Sequence, residues 1–415
     1  LLHSCIMEDR KPLKRKLSDR SKDSGRDNRL HVKNPYHNNS PDFAALALEF
    51  PHLLGDYVQI NPVSKKGSID FADNNALRGL SKALLLKDFH VNVDIPENHL
   101  CPPLPNRINY LCWISDLLEN SSAEMTSTAP IVLDIGVGPV CIFPILGNKL
   151  FGWKFVGSDV DGASIDMCQR NIDANPELKE HIRAVLVPDS NRLQEIIGKE
   201  YLPRLMLQNV GENNNTHSDE QTIPVSVDLR SIRTGHTKDN NLTSNVVLRG
   251  PVSSALFAMG GYHAQILLQC EKNIGTNSNE NENGLAHADE HNNDRLLTVV
   301  MCNPPFYDTD EQIQINERTV CTGSTSEMRT LGGEVVFISA IIYDSLLLKD
   351  RVLWYTSMVG KHSSLQPLKR LLSASGVPHS HYFVTTLSQG VTSRWVLAWT
   401  FSDDAARGYR KWCST

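Results

Sequence analysis

Two stretches of the chain alternate short apolar runs with segments of helical periodicity, and this alternation limits the fold more than any other feature. From residue 131 the order is strand 131–134, helix 141–150, strand 154–159, helix 163–174 and strand 182–187. From residue 297 it resumes as strand 297–302, helix 333–348, strand 352–359 and helix 364–375. Continuous apolar strands set between helices belong to a parallel sheet covered on both faces. The last two apolar runs, 381–387 and 394–401, have no helix between them, which predicts an antiparallel hairpin closing the sheet. The fold class is therefore α/β.

The alternation is broken by residues 205–298, which hold 14 Asn in 94 positions, including Asn213-Asn214-Asn215. Such composition cannot supply a core, so 205–295 is read as a disordered insertion, with 252–269 apolar enough for a local strand or helix. Ahead of the sheet, the pattern predicts a helix over 41–48 with Pro in its first turn, a hairpin joining 57–60 to 68–71, and helices over 75–89 and 106–118. Residues 34–118 then form a small N-terminal unit, and 131–204 with 296–402 form the sheet domain.

Charge divides the chain unevenly. Residues 1–33 hold ten Lys/Arg against five Asp/Glu, while the remainder carries 31 against 42, a net of −11. The first segment lacks aromatics and reads as a disordered basic arm, and Lys11-Pro12-Leu13-Lys14-Arg15-Lys16 within it has nuclear-import character. A polyanion would be repelled by the body as a whole, so local basic patches and the arm must hold it. The expected location is the nucleus, with the cytoplasm as second compartment. The nine Cys show no Cys-x-x-Cys pair, which suits a reducing compartment, and the 15 His show no metal spacing, so no metal is expected. No apolar run approaches a membrane span. The chain opens on Leu1-Leu2-His3 rather than Met, as a fragment or a displaced start would, and no signal-peptide pattern follows.

Two motifs carry chemistry. In Val132-Leu133-Asp134-Ile135-Gly136-Val137-Gly138 an apolar strand ends in an acid and a Gly-x-Gly turn, where open parallel sheets bind cofactors. Asp159 ends the next strand, 23 residues after Gly136, the separation at which a carboxylate accepts ribose hydroxyls. A dinucleotide fingerprint would need Gly or Ala near 141; Cys141 there leans away from NAD and toward S-adenosylmethionine, which has no pyrophosphate to cradle. The second motif is Asn303-Pro304-Pro305-Phe306, directly after strand 297–302. Consecutive prolines fix φ and remove two donors, leaving the Asn303 side chain and local carbonyls as acceptors beside an aromatic ring. A planar amine fits this geometry: its N–H groups donate to Asn303 and to the Pro304 carbonyl while Phe306 stacks on the ring bearing it.

These residues match the Asn-Pro-Pro-Phe class of amino-methyltransferases, and the chain resembles the family of U6 small nuclear RNA adenosine-N6 methyltransferases. The likeness rests on Pro41-Asp42-Phe43-Ala44, Val58-Gln59-Ile60-Asn61, Asp94-Ile95-Pro96, Arg107-Ile108-Asn109-Tyr110, Asp134-Ile135-Gly136, the tetrapeptide itself, Gly332-Gly333-Glu334, Trp354-Tyr355, Gly360-Lys361 and Gln389-Gly390-Val391-Thr392-Ser393-Arg394-Trp395. It covers roughly 34–190 and 298–402.

The resemblance implies a Rossmann-like class I methyltransferase sheet with an N-terminal RNA-binding extension. It also implies S-adenosylmethionine as cofactor, a structured RNA such as U6 small nuclear RNA as partner, and N6-methyladenosine as product. Arg107, Asp134, Gly136, Gly138, Asp159 and Asn303 are then expected at the cofactor, and Asn303, Pro304, Pro305 and Phe306 at the reacting amine. Lys65, Lys66, Lys361 and Arg394 are expected against RNA. The chain departs from its relatives at Val140, where they place Ser, and at Pro188-Asp189-Ser190-Asn191, where they carry a Lys. Ribosomal RNA adenine or protein glutamine as substrate, and an RNA-binding module without turnover, stand as alternatives.

Overall fold

The structure is a computed structural model describing residues 30–97, 99–121, 129–187, 248–275, 295–308, 325–389 and 392–414, with Gln194 and Ile197. The N-terminal region comprises α1 (Phe43–Glu49), α2 (Pro51–Leu54), the antiparallel hairpin β1 (Val58–Ile60) and β2 (Gly67–Ile69), α3 (Asn74–Phe89) and α4 (Leu104–Glu119). Asp42 and Asp73 start α1 and α3 by accepting from the first free backbone N–H groups.

Next come β3 (Ile131–Ile135), α5 (Ile142–Phe151), β4 (Lys154–Asp159), α6 (Gly162–Asp173), β5 (Ile182–Leu186), α7 (Pro251–Met259), α8 (Gly261–Gly275) and β6 (Leu297–Cys302). The chain continues through α9 (Thr325–Met328), α10 (Gly333–Leu348), β7 (Val352–Val359), α11 (Leu365–Ala374), β8 (Tyr382–Gln389), β9 (Thr392–Trp399) and α12 (Asp403–Cys413).

Seven strands form one sheet in the order β5-β4-β3-β6-β7-β9-β8. Every neighbour is parallel except β7 with β9 and β9 with β8. This is the class I methyltransferase arrangement, with the expected hairpin at the end. Alternate residues serve two cores, as a period of two requires. Val132, Val299 and Trp354 point to the layer of α3, α4 and α5. Leu133, Val300 and Tyr355 point to the layer of α7, α10 and α11. Both faces are covered, which is why these strands read as unbroken apolar runs.

Four expectations are corrected. First, 34–118 is not a separate unit. Tyr36, Leu46, Leu85 and Ile108 belong to the same core as Val132 and Trp354, and the Tyr110 hydroxyl on α4 lies 2.8 Å from Thr356 Oγ1 on β7. Asn171 on α6 further laces the segment before α4 to the sheet, donating to the carbonyl of Asp94 at 3.0 Å and accepting from its N–H at 2.7 Å.

Second, residues 30–33 of the expected arm are ordered against the core. Lys33 Nζ is 2.8 Å from Asp116 and 2.6 Å from Glu119, and His31 Nε2 is 2.7 Å from Asp116. Third, the insertion is not disordered throughout: the apolar stretch 252–269 is helical, as its composition allowed, and 248–275 pack on the sheet domain. Leu248, Val252, Ala255, Leu256, Met259 and Leu267 enter the second core, and buried Asp344 on α10 accepts the N–H groups of Gly250, Val252 and Ser253 at the start of α7. The remainder of the insertion, most of the arm and the loop at 188–191 lie outside the described residues. Fourth, the sheet domain does not stop at 402. α12 follows, with its Ser402 hydroxyl oxygen accepting from Ala405 N–H and Tyr409 buried among Trp113, Trp354 and Phe383.

Candidate active site

The carboxyl end of β3 turns sharply at Gly136 and Gly138, whose φ values of 74° and 65° favour glycine. The turn is tied to the neighbouring strand: the N–H groups of Gly136 and Val137 donate to the Ser158 carbonyl at 2.8 and 3.0 Å. Asp159, at the end of β4, accepts from Gly138 N–H through Oδ2 at 3.0 Å and from Asp161 N–H through Oδ1 at 3.0 Å. Burial raises its carboxyl pKa, and those backbone donors oppose the rise without cancelling it.

Three buried groups converge here with polar atoms that have no hydrogen-bond partner among the described residues: Arg107 Nε, both carboxyl oxygens of Asp134, and Asn303 Oδ1. Arg107 reaches the site from α4, its guanidinium carbon 5.4 Å from the Phe143 ring centroid. Burial pushes its pKa down to about 10, against the pull of Asp134. Asp134 is 1% exposed. Burial, and then the charge of Asp159, hold its carboxyl well above the usual range although Arg107 pulls the other way. Unpaired buried polar groups are costly, and the two that line one space, on Arg107 and Asn303, mark it as shaped for a polar ligand.

One cavity joins these elements. Arg107, Gly136, Gly138, Asp159, Asn303 and Pro305 line it, as does Val140. Asp134 and Pro304 are buried nearby without lining it. The sequence reading missed Ser158, Ser164 and Ser254 in the lining, and three longer polar side chains as well. Glu327 on α9 lies 3.1 Å from His99 Nδ1 and accepts from Leu100 N–H at 3.3 Å, joining α9 to the Pro-rich link before α4. Gln194 accepts from the Thr330 hydroxyl at 2.9 Å. Arg249 pairs with Glu271 at 2.9 and 3.0 Å and covers the Phe257 ring at 3.9 Å. The cavity residues thus offer a glycine turn without Cβ atoms, a carboxylate at the end of the second sheet strand, a guanidinium and a free amide oxygen. That donor and acceptor set fits a nucleoside joined to an amino acid.

Phe306 is half-buried and, unlike Asn303 and Pro305, does not line the cavity. The Arg394 guanidinium carbon is 5.3 Å from its ring centroid, and Lys361 Nζ is 5.6 Å from the ring of Tyr307. Two of the four cations expected against RNA therefore flank the tetrapeptide. Lys65 and Lys66 do not; they sit exposed at the β1–β2 turn, on a hairpin that packs against α1. Among the described residues no group of three or more His, Cys, Asp or Glu could hold a metal ion, and no helix is long and apolar enough to cross a membrane.

A family model described as RNA methyltransferase matches residues 25–266 and 263–403. The chain is 29% identical over 384 residues to the human RNA N6-adenosine-methyltransferase METTL16, covering 90% of this chain and 51% of that protein. It is 31% identical over 398 residues to the U6 small nuclear RNA (adenine-(43)-N(6))-methyltransferase of Dictyostelium discoideum, covering 93% and 57%. The chain spans about half the length of the curated relatives it matches. Among solved structures, the hMettl16 catalytic domain in complex with MAT2A 3′UTR hairpin 6 superposes with a TM-score of 0.59 at 28% identity, covering 90% of this chain and 98% of that one. The N-terminal domain of human METTL16 in complex with SAH superposes at 0.55 and 28%, covering 90% and 99%.

Proposed function

The chain belongs to the RNA methyltransferase family, and from that premise we propose that it methylates the N6 amine of an adenosine in structured RNA, with U6 small nuclear RNA as substrate and S-adenosylmethionine as donor. The observation that carries the reading is Asn303 Oδ1, buried and unpartnered among the described residues, on a residue that lines the cavity three positions before Phe306. Relatives named for this activity, and solved relatives in complex with an RNA hairpin and with SAH, support it.

When bound, S-adenosylmethionine supplies an electrophilic methyl group. The chain's own residues then bind and orient. The backbone turn at Gly136 and Gly138 admits the ligand closely, Asp159 is the acceptor for ribose hydroxyls, and the Arg107 guanidinium is the partner for a carboxylate. Asn303 Oδ1 and the Pro304 carbonyl accept the two N–H groups of the adenine amine, and Phe306 stacks on its ring. Holding the amine by both hydrogens turns its nitrogen toward the donor, and positioning of this kind supplies several kcal/mol. The added proton can leave after transfer, so no carboxylate in the cavity is needed as a base. Arg394 and Lys361 neutralise phosphates beside the splayed adenosine, as an acidic body requires.

The test offers purified protein and labelled donor to U6 RNA, ribosomal RNA and protein extract in parallel, with nucleoside mass mapping. N6-methyladenosine in U6 RNA is the expected product. Label confined to ribosomal RNA or protein would replace the substrate, and RNA binding without label would leave a binding module. For location, the basic segment at 11–16 supports the nucleus, and neutralising Lys14, Arg15 and Lys16 should move a tagged protein to the cytoplasm.

A further inference from the structure

We propose that Glu334 is a positioning residue for the transfer, holding the loop after β7 so that Gly360 forms the floor on which the Phe306 ring rests. The proposal rests on the reading of Phe306 as the stacking surface for the target base. Glu334 is 2% exposed, in the first turn of α10. Its carboxylate is saturated by one loop: Oε2 accepts from Gly360 N–H at 2.6 Å, and Oε1 accepts from Lys361 N–H at 2.9 Å and from the Ser364 hydroxyl at 2.6 Å. Hydrogen bonds to a carboxylate are short and strong, and a side chain with three of them has one geometry.

Gly360 is in direct contact with the ring. A Cβ placed there would lie 2.5 Å from Phe306 Cδ1 and 2.9 Å from Cε1. Any movement of the loop is therefore a movement of the surface behind Phe306. The other side of the tetrapeptide is tied to the same helix end: Gly332 N–H donates to Asp308 Oδ1 at 2.8 Å, and Thr330 N–H donates to the Tyr307 carbonyl at 2.9 Å. The start of α10 thus grips the chain after Phe306 through its leading loop and the floor under Phe306 through Glu334. Lys361, next in the loop, is placed near Tyr307 by the same carboxylate. Glu334 does not line the cavity, so its effect should fall on the base and spare the cofactor.

The experiment compares wild type, Glu334→Gln, Gly360→Ala and Phe306→Ala. Glu334→Gln keeps the shape but faces an amide N–H2 toward the loop donors. Gly360→Ala keeps the carboxylate and pushes a methyl group into the ring. Each should lower kcat by about tenfold or more, with the KM and calorimetric affinity for S-adenosylmethionine within about twofold of wild type. A second readout is a U6-derived hairpin carrying 2-aminopurine at the methylated adenosine, whose emission reports stacking. Both variants should shift the bound emission toward the value seen with Phe306→Ala. Wild-type kcat and emission in Gly360→Ala would overturn the proposal even if Glu334→Gln failed to fold, and equal loss of cofactor affinity in both would also overturn it. If wild type transfers no methyl group and Phe306→Ala leaves its emission unchanged, the reading of the site fails instead.

Discussion

The guanidinium of Arg394 on β9 sits 5.3 Å from the ring centroid of Phe306 beyond β6. Two strands that are not neighbours in the sheet thus meet over the tetrapeptide, and β7 lies between them. The cation braces the ring, and under the proposed function it would also meet phosphate beside the target base.

Arg394→Ala should weaken RNA binding through both roles. A cation over an aromatic ring is worth about 0.5–2 kcal/mol, and one lost phosphate contact lowers the log–log salt slope by about 0.7–0.9. A salt titration of hairpin binding should show both effects, with cofactor affinity unchanged.

Under the proposed function, Asn303→Ala removes the acceptor for the reacting amine. Single-turnover transfer should fall by more than about tenfold, the change that 1.4 kcal/mol of transition-state stabilisation represents. Cofactor affinity by calorimetry should stay close to wild type. A variant retaining more than about a tenth of the rate would remove Asn303 from the chemistry.

Asp134 sets a pH dependence of one sign. Its carboxyl pKa is raised in the folded state by burial and by Asp159, so its contribution to stability is fully present below the ordinary carboxylate range and is lost as pH rises through the raised value. Asp134→Asn should therefore raise the melting temperature of the ligand-free protein at neutral pH by a few degrees, with no gain at pH 4. The same variant should bind cofactor more weakly.

Lys33 sets the opposite sign through Asp116. Burial alone would raise the Asp116 pKa, but hydrogen bonds from His31 and Lys33 bring it below the usual value. Stability from this pair is present above the unfolded carboxylate pKa and lost as pH falls through the depressed one. Lys33→Met should destabilise at neutral pH, and the penalty should shrink on acidification.

Tyr409 anchors α12. It is 4% exposed, and its hydroxyl accepts from Trp113 Nε1 at 3.0 Å. Tyr409→Ala should cost about 3–5 kcal/mol, as other large-to-small changes of buried aromatics do. Tyr409→Phe should cost about 1–3 kcal/mol by leaving the indole N–H unpaired. Chemical denaturation would separate the two.

The sheet was legible because its strands are buried on both faces and end in Asp134, Asp159 and Asn303, residues without a packing reason to close an apolar run. The cavity wall was less so. Glu327, Gln194 and Arg249 come from segments far from the motifs in sequence, and nothing local to them signals convergence. Arg107 was placed by resemblance alone, since periodicity reads an arginine as surface. The helices at 251–275 were legible as an apolar stretch at 252–269, but the Asn-rich flanks hid that they join the sheet's core. The pattern for α12 was present, with Ser402 ahead of Asp403-Asp404 and Arg410-Lys411 at the far end, but the stretch lay past the matched motifs. Glu334 was visible as part of Gly332-Gly333-Glu334, yet its partners lie 26–30 residues away.

The position of β9 between β7 and β8 has a consequence for synthesis on the ribosome. A nascent chain that has produced β7 but not residue 392 holds a strand with one edge bare, the kind of edge that invites pairing with other chains. β8 emerges first but cannot fill the gap, because its partner is β9. Only when β9 slots in is β7 paired along both edges, and the same strand delivers Arg394 to Phe306. Covering the exposed edge of β7 and setting the cation against Phe306 are thus one event, reserved for the last stretch of sheet to be translated, so a product terminated before it would lack both.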